Sequence, residues 1–83
     1  MRLRKLLQKA LQSPRNLRFG DLVTLVEAFG FRLERVTGSH YLYAHPLIPD
    51  LLNLQNVKGK AKPYQVSQFI DLIERYNLSL GGE

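Results

Sequence analysis

The residues with chemistry to offer gather in two places. The first is Gly38-Ser39-His40, followed at once by Tyr41-Leu42-Tyr43. Gly-Ser breaks the chain, and the residues after the histidine favour a strand. His40 is therefore expected at a strand mouth, held by the ladder on one side and open to solvent on the other. Imidazole titrates nearer neutrality than any other unperturbed side chain, so it can give or take a proton at working pH. The second place is the run Lys58-Gly59-Lys60-Ala61-Lys62. Its ammonium groups can meet phosphates or offset negative charge that builds in a transition state. Arg32 and Arg35 are weaker basic candidates. Tyr41 and Tyr43 suit either base stacking or packing.

Other chemistries fit this set poorly. His40 and His45 are five residues apart, so on one continuous strand they point to opposite faces. Neither has a carboxylate at a ligand spacing, and the chain has no cysteine, so no metal site is expected. Ser39 precedes His40 directly and would face away from it, which rules against a nucleophile pair. Lys58-Gly59-Lys60 is too short for a phosphate-cradling glycine loop. No cofactor is called for. One histidine with basic neighbours is nevertheless sufficient for RNA, because RNA brings its own nucleophile, the 2′-hydroxyl. The imidazole would either draw off that proton or protonate the departing 5′-oxygen.

The elements that must position these residues can be read from periodicity. Leu3, Leu6, Leu7, Ala10 and Leu11 recur at helical spacing over Arg2 to Gln12, and Ser13-Pro14 ends that helix. A second helix is expected from Phe19 to Phe29, with Phe19, Leu22, Val23, Val26 and Phe29 as its stripe and Gly30 as its left-handed stop. Strands follow at Phe31–Val36, Ser39–Ala44 and Leu51–Val57. In the first, Arg32 and Glu34 oppose Phe31 and Leu33. In the second, either His40 with Leu42 or Tyr41 with Tyr43 could face the core. Pro46 to Asp50 reads as a loop and Lys58 to Lys62 as a basic loop. Pro63 opens a last helix, Tyr64 to about Tyr76, carrying Val66, Phe69, Ile70, Ile73 and Tyr76. Asn77 is its stop and residues 81–83 a tail. The expected fold is α+β and two-layered: a three-stranded antiparallel sheet with helices packed on one face, plus an N-terminal helix.

Gly30-Phe31, then Gly38-Ser39-His40, then Lys62-Pro63 before an amphipathic helix, together resemble the HicA family over roughly Phe19 to Leu78. These are small ribonuclease toxins of bacterial toxin–antitoxin pairs. The resemblance implies a double-stranded-RNA-binding-domain-like fold and a metal-independent endoribonuclease, an mRNA interferase, with His40 as its catalytic residue. It also implies a HicB-like antitoxin that occludes the site. In that fold a basic cluster at the start of the last helix meets phosphates, which matches Lys60 and Lys62. The chain departs from the family where Pro-x-His often precedes the lysine-glycine loop; Leu54-Gln55-Asn56 stands there. His40 is then left without a second catalytic histidine.

Size and charge agree with a polyanionic partner. Eighty-three residues allow one domain and one modest core, divided into a basic helical extension at 1–18 and a core at 19–78. The formal charge is +5, and the pI is near 9.9, which points to nucleic acid. An acidic protein partner is the other candidate. From Met1 to Arg18 there are six basic residues and no acidic one. Such a segment serves as a docked helix, a phosphate-binding arm or a homo-oligomer contact. No transmembrane run or signal peptide is legible, so the cytoplasm is the default compartment. The rival functions are a non-catalytic RNA-binding module and a basic protein-interaction subunit.

Overall fold

Each apolar stripe finds a partner in one cluster of buried side chains. The computed structural model describes residues 2–80; the tail expected at 81–83 lies outside the described residues. Helix α1 (Arg2–Gln12) turns Leu6, Leu7 and Ala10 inward. Leu11, expected on the same stripe, stays 55% exposed. A single 3₁₀ turn, Pro14–Asn16, follows. Leu17 after it is fully buried. The first and second segments of the chain are thus joined through a core residue rather than a free linker.

Helix α2 (Phe19–Ala28) buries Phe19, Leu22, Leu25 and Val26. Its end is closed by two backbone bonds, Gly30 N–H to the Glu27 carbonyl at 3.0 Å and Phe31 N–H to the Val26 carbonyl at 3.2 Å. This is the Schellman pattern, and it needs a left-handed residue between them. Gly30 supplies that with φ +98.

The sheet has four strands, β1 (Arg32–Thr37), β2 (His40–His45), β3 (Ile48–Val57) and β4 (Lys60–Ala61), antiparallel and in that order. The α+β class with an antiparallel sheet is as expected, but the strand count is four and not three. The extra strand lies inside the stretch expected as a basic loop. Lys58 and Gly59 both take positive φ, +52 and +83, which makes a tight two-residue hairpin. The side-chain oxygen of Asn56 accepts the Gly59 N–H at 2.7 Å and helps offset the left-handed lysine, a conformation that costs about 1–2 kcal/mol. β4 is then held on both sides. It pairs with Asn56 and Val57 on one edge. On the other, Ala61 N–H donates to the Leu17 carbonyl at 3.0 Å and Phe19 N–H to the Gly59 carbonyl at 2.9 Å.

β3 also begins three residues early, at Ile48 rather than Leu51. Pro46 and Leu47 form the turn, with His45 paired to Ile48. Pro49 is tolerated inside β3 because the ladder shifts between Tyr43 and His45, where no N–H is owed. The open question of β2 is settled by burial. Tyr43 is 1% exposed and points into the core with Leu52 and Leu54, and Tyr41 packs against Phe19 with the rings tilted and 4.8 Å between their centroids. His40 and Leu42 therefore face the side that no helix covers.

Helix α3 (Pro63–Arg75) closes the core with Val66 and Phe69. The Phe69 ring meets Phe29 at 5.6 Å and Phe31 at 6.0 Å. Burying a ring of this size contributes about 1.5–3 kcal/mol. Asn77, at φ +53, ends the helix. Among the described residues no helix is long and apolar enough to cross a membrane.

Candidate functional site on the open face of the sheet

His40 opens β2. Its backbone neighbours are Thr37 on β1 and Gln55 on β3, so the ladder fixes its Cα from both sides. Gly38 makes this placement possible: its φ of +59 closes the β1–β2 hairpin at the first central position, where glycine is favoured. The His40 ring is half-exposed. Its Nδ1 lies 3.1 Å from the Asn53 side-chain oxygen. Asn53 pairs with Leu42, which makes it the diagonal neighbour of His40 on the same face. Beside them, Gln55 Nε2 donates to Ser39 Oγ at 3.3 Å, and Asn56 N–H donates to the Ser39 carbonyl at 3.0 Å.

Basic residues reach this face by register. The sequence alternation would put Arg32 and Arg35 on opposite faces. A shift in the ladder between Leu33 and Arg35 changes that. Glu34 becomes the extra residue of a bulge, and Arg35 pairs with Leu42 on the face of His40. Arg35 is thus a diagonal neighbour of His40, about 7–8 Å away. Arg32, opposite Ala44, shares the face but stands at the far end of the strand. Lys60 pairs with Val57, two residues beyond Gln55, and so also faces this side, two strands from His40. Lys58 sits exposed in the turn before it. Lys62 caps α3 and holds its Nζ 5.7 Å from the centre of the Tyr64 ring. Among the described residues no Asp or Glu occupies a paired position on this face.

His45 is used differently. It lies on the core side, its ring 5.0 Å from that of Phe31. Nε2 is 3.1 Å from the Phe29 carbonyl, and Nδ1 accepts the Leu47 N–H at 3.1 Å. Both nitrogens are committed to backbone. Among the described residues no three His, Asp or Glu side chains gather where they could share a metal ion.

Three residues outside the sequence candidates prove structurally important here. Asn53 and Gln55 carried no signal, because their meeting with His40 and Ser39 depends on strand register. Gln65 is 2% exposed and its Oε1 accepts the Gln55 N–H at 2.7 Å. It completes the edge of β3 where β4 gives way to α3. A signal for it did exist: position 65 precedes Phe69 by one helical turn and lies on its buried side. Compared with protein-family models, curated proteins and solved structures, the chain matches none of them.

Proposed function

We propose that this chain is a HicA-type toxin, a metal-independent endoribonuclease acting on mRNA, with His40 as its catalytic residue. The observation that carries the reading is the position of His40: it is anchored at a strand mouth, on the helix-free face, with Arg35 and Lys60 on that same face. Helix, antiparallel sheet and helix in this order also suit the double-stranded-RNA-binding-domain-like fold, to which α1 and the short β4 are additions. Where Pro-x-His often stands in the family, this chain has Leu54-Gln55-Asn56, and the ladder sets Gln55 directly beside His40.

The reaction follows from the substrate. His40 takes the proton of a 2′-hydroxyl. The 2′-oxygen then forms a bond to phosphorus while the bond to the 5′-oxygen breaks. The leaving oxygen takes a proton from water, and His40 returns its own to the hydroxide that remains. The products are a 2′,3′-cyclic phosphate and a 5′-hydroxyl. Arg35 and Lys60 offset the charge of the phosphorane; Lys58, Lys62 and Arg32 hold flanking phosphates. A HicB-like antitoxin would cover this basic face.

The test is cleavage of purified RNA in the presence of a chelator by the wild-type chain and by His40→Ala. The wild type should cut. The variant should stay folded, bind RNA and lose on the order of 10²–10⁴-fold in rate, the usual contribution of general acid–base catalysis. A folded His40→Ala protein that cuts at the wild-type rate removes His40 from the mechanism. A wild-type protein that binds RNA without cutting it makes this a binding module instead.

A further inference from the structure

We propose that Asn53 is a positioning residue that holds His40 in its Nδ1–H tautomer and thereby makes Nε2 the atom that accepts the substrate proton. The functional half of this inference rests on the ribonuclease reading; the tautomer does not.

An amide oxygen can only accept a hydrogen bond. Asn53 Oδ1 lies 3.1 Å from His40 Nδ1, so Nδ1 carries the hydrogen and donates. In the neutral ring the lone pair then belongs to Nε2. Free imidazole side chains prefer the opposite form, with hydrogen on Nε2, so the preference must be imposed by a neighbour. Asn53 is well placed to impose it. Its backbone is fixed on β3 opposite Leu42, three residues before the stretch of β3 that also pairs with β4. A neutral amide also suits this position better than a carboxylate. It orients the ring without stabilising the imidazolium and without setting a negative charge where an RNA phosphate must approach.

His45 supplies the contrast within the same strand. Its Nδ1 accepts the Leu47 N–H, so that nitrogen bears no hydrogen, and Nε2–H donates to the Phe29 carbonyl. One strand therefore carries its two histidines in opposite tautomers. Each tautomer is set by a single neighbouring group acting on Nδ1: an acceptor beside His40 and a donor beside His45.

Long-range ¹⁵N–¹H correlation of the full chain, at a pH where both rings are neutral, reads this directly. The wild type should show the Nδ1–H pattern for His40 and the Nε2–H pattern for His45. Asn53→Leu should return His40 to predominantly Nε2–H and leave His45 unchanged, the His45 signal also reporting that the fold is intact. Asn53→Asp, which keeps an acceptor, should retain Nδ1–H. In cleavage assays Asn53→Leu should lower kcat about ten- to a hundred-fold with KM nearly unchanged, the mark of a ring held in the wrong tautomer. A wild-type His40 in the Nε2–H form, or an Asn53→Leu variant that leaves the tautomer as it was, would overturn the assignment. The expected tautomers in a wild-type protein that leaves RNA intact would support the assignment and overturn the ribonuclease reading.

Discussion

His40 and His45 begin and end the same strand, and the structure uses them in opposite ways. At the His45 end the ring is on the core side, both nitrogens are bound to backbone groups, and α2, β1 and the β2–β3 turn meet around it. At the His40 end one nitrogen is tied to a side chain, and the ring stands on an uncovered face among basic residues. A histidine satisfied twice by backbone is a structural staple. A histidine satisfied once, at a fixed Cα, is oriented and still has an atom to spare. The strand's alternation separates them: five residues put them on opposite faces, and only one face is covered.

Substitution at the two ends should separate function from stability. His40→Ala carries the largest effect, on the order of 10²–10⁴-fold in cleavage rate, with the melting temperature nearly unchanged. His45→Ala should do the reverse. It removes two hydrogen bonds and a ring packed on Phe31, so about 2–3 kcal/mol of stability is expected to be lost in denaturant titrations. Activity per folded molecule should persist. Equal effects of the two substitutions on stability would dissolve the contrast.

Gly30 sharpens the His45 end. A Cβ there would stand 3.1 Å from His45 Nε2, on a residue with φ +98. Gly30→Ala should cost about 1–3 kcal/mol, and less in a His45→Ala background, where the ring is gone. Additive losses would show that backbone strain alone sets the cost.

The basic residues sharpen the other end. If Lys58, Lys60 and Lys62 meet phosphates, replacing all three with Gln should weaken RNA binding. The slope of log affinity against log salt should also fall by about 0.7–0.9 for each phosphate that is no longer neutralised. An unaltered slope would take them off the binding surface.

The smallest effect belongs to the covered face. Burial holds the Tyr43 hydroxyl above its ordinary pKa of 10.0, helped by the nearby charge of Glu27 and by Tyr41. The unfolded chain ionises this phenol at the ordinary value, and the folded chain resists. Its contribution is therefore full below pH 10.0 and is lost as pH rises through the folded pKa. Tyr43→Phe should flatten alkaline unfolding and leave the neutral range nearly as it was.

Much of this was legible in the chain. Helical stripes at Phe19–Phe29 and Tyr64–Tyr76, the glycine stop at Gly30 and the break before His40 are local signals, each caused by residues within a turn or two of one another. They place the helices, three of the strands and the mouth of β2. What the tertiary structure alone decided is register and cover. The bulge at Glu34 moves Arg35 to the face of His40, and Asn53 reaches His40 only because β3 pairs where it does. β4 is a strand because Leu17 and Asn56 hold it from both sides, although its own two residues say nothing of the kind. Which face of β2 stays open was equally beyond local reading, since Tyr41 with Tyr43 and His40 with Leu42 are both fit to be buried. The choice fell to the pair that meets Phe19, Leu52 and Leu54, because hydrophobic burial is a property of what an element packs against and not of the element itself.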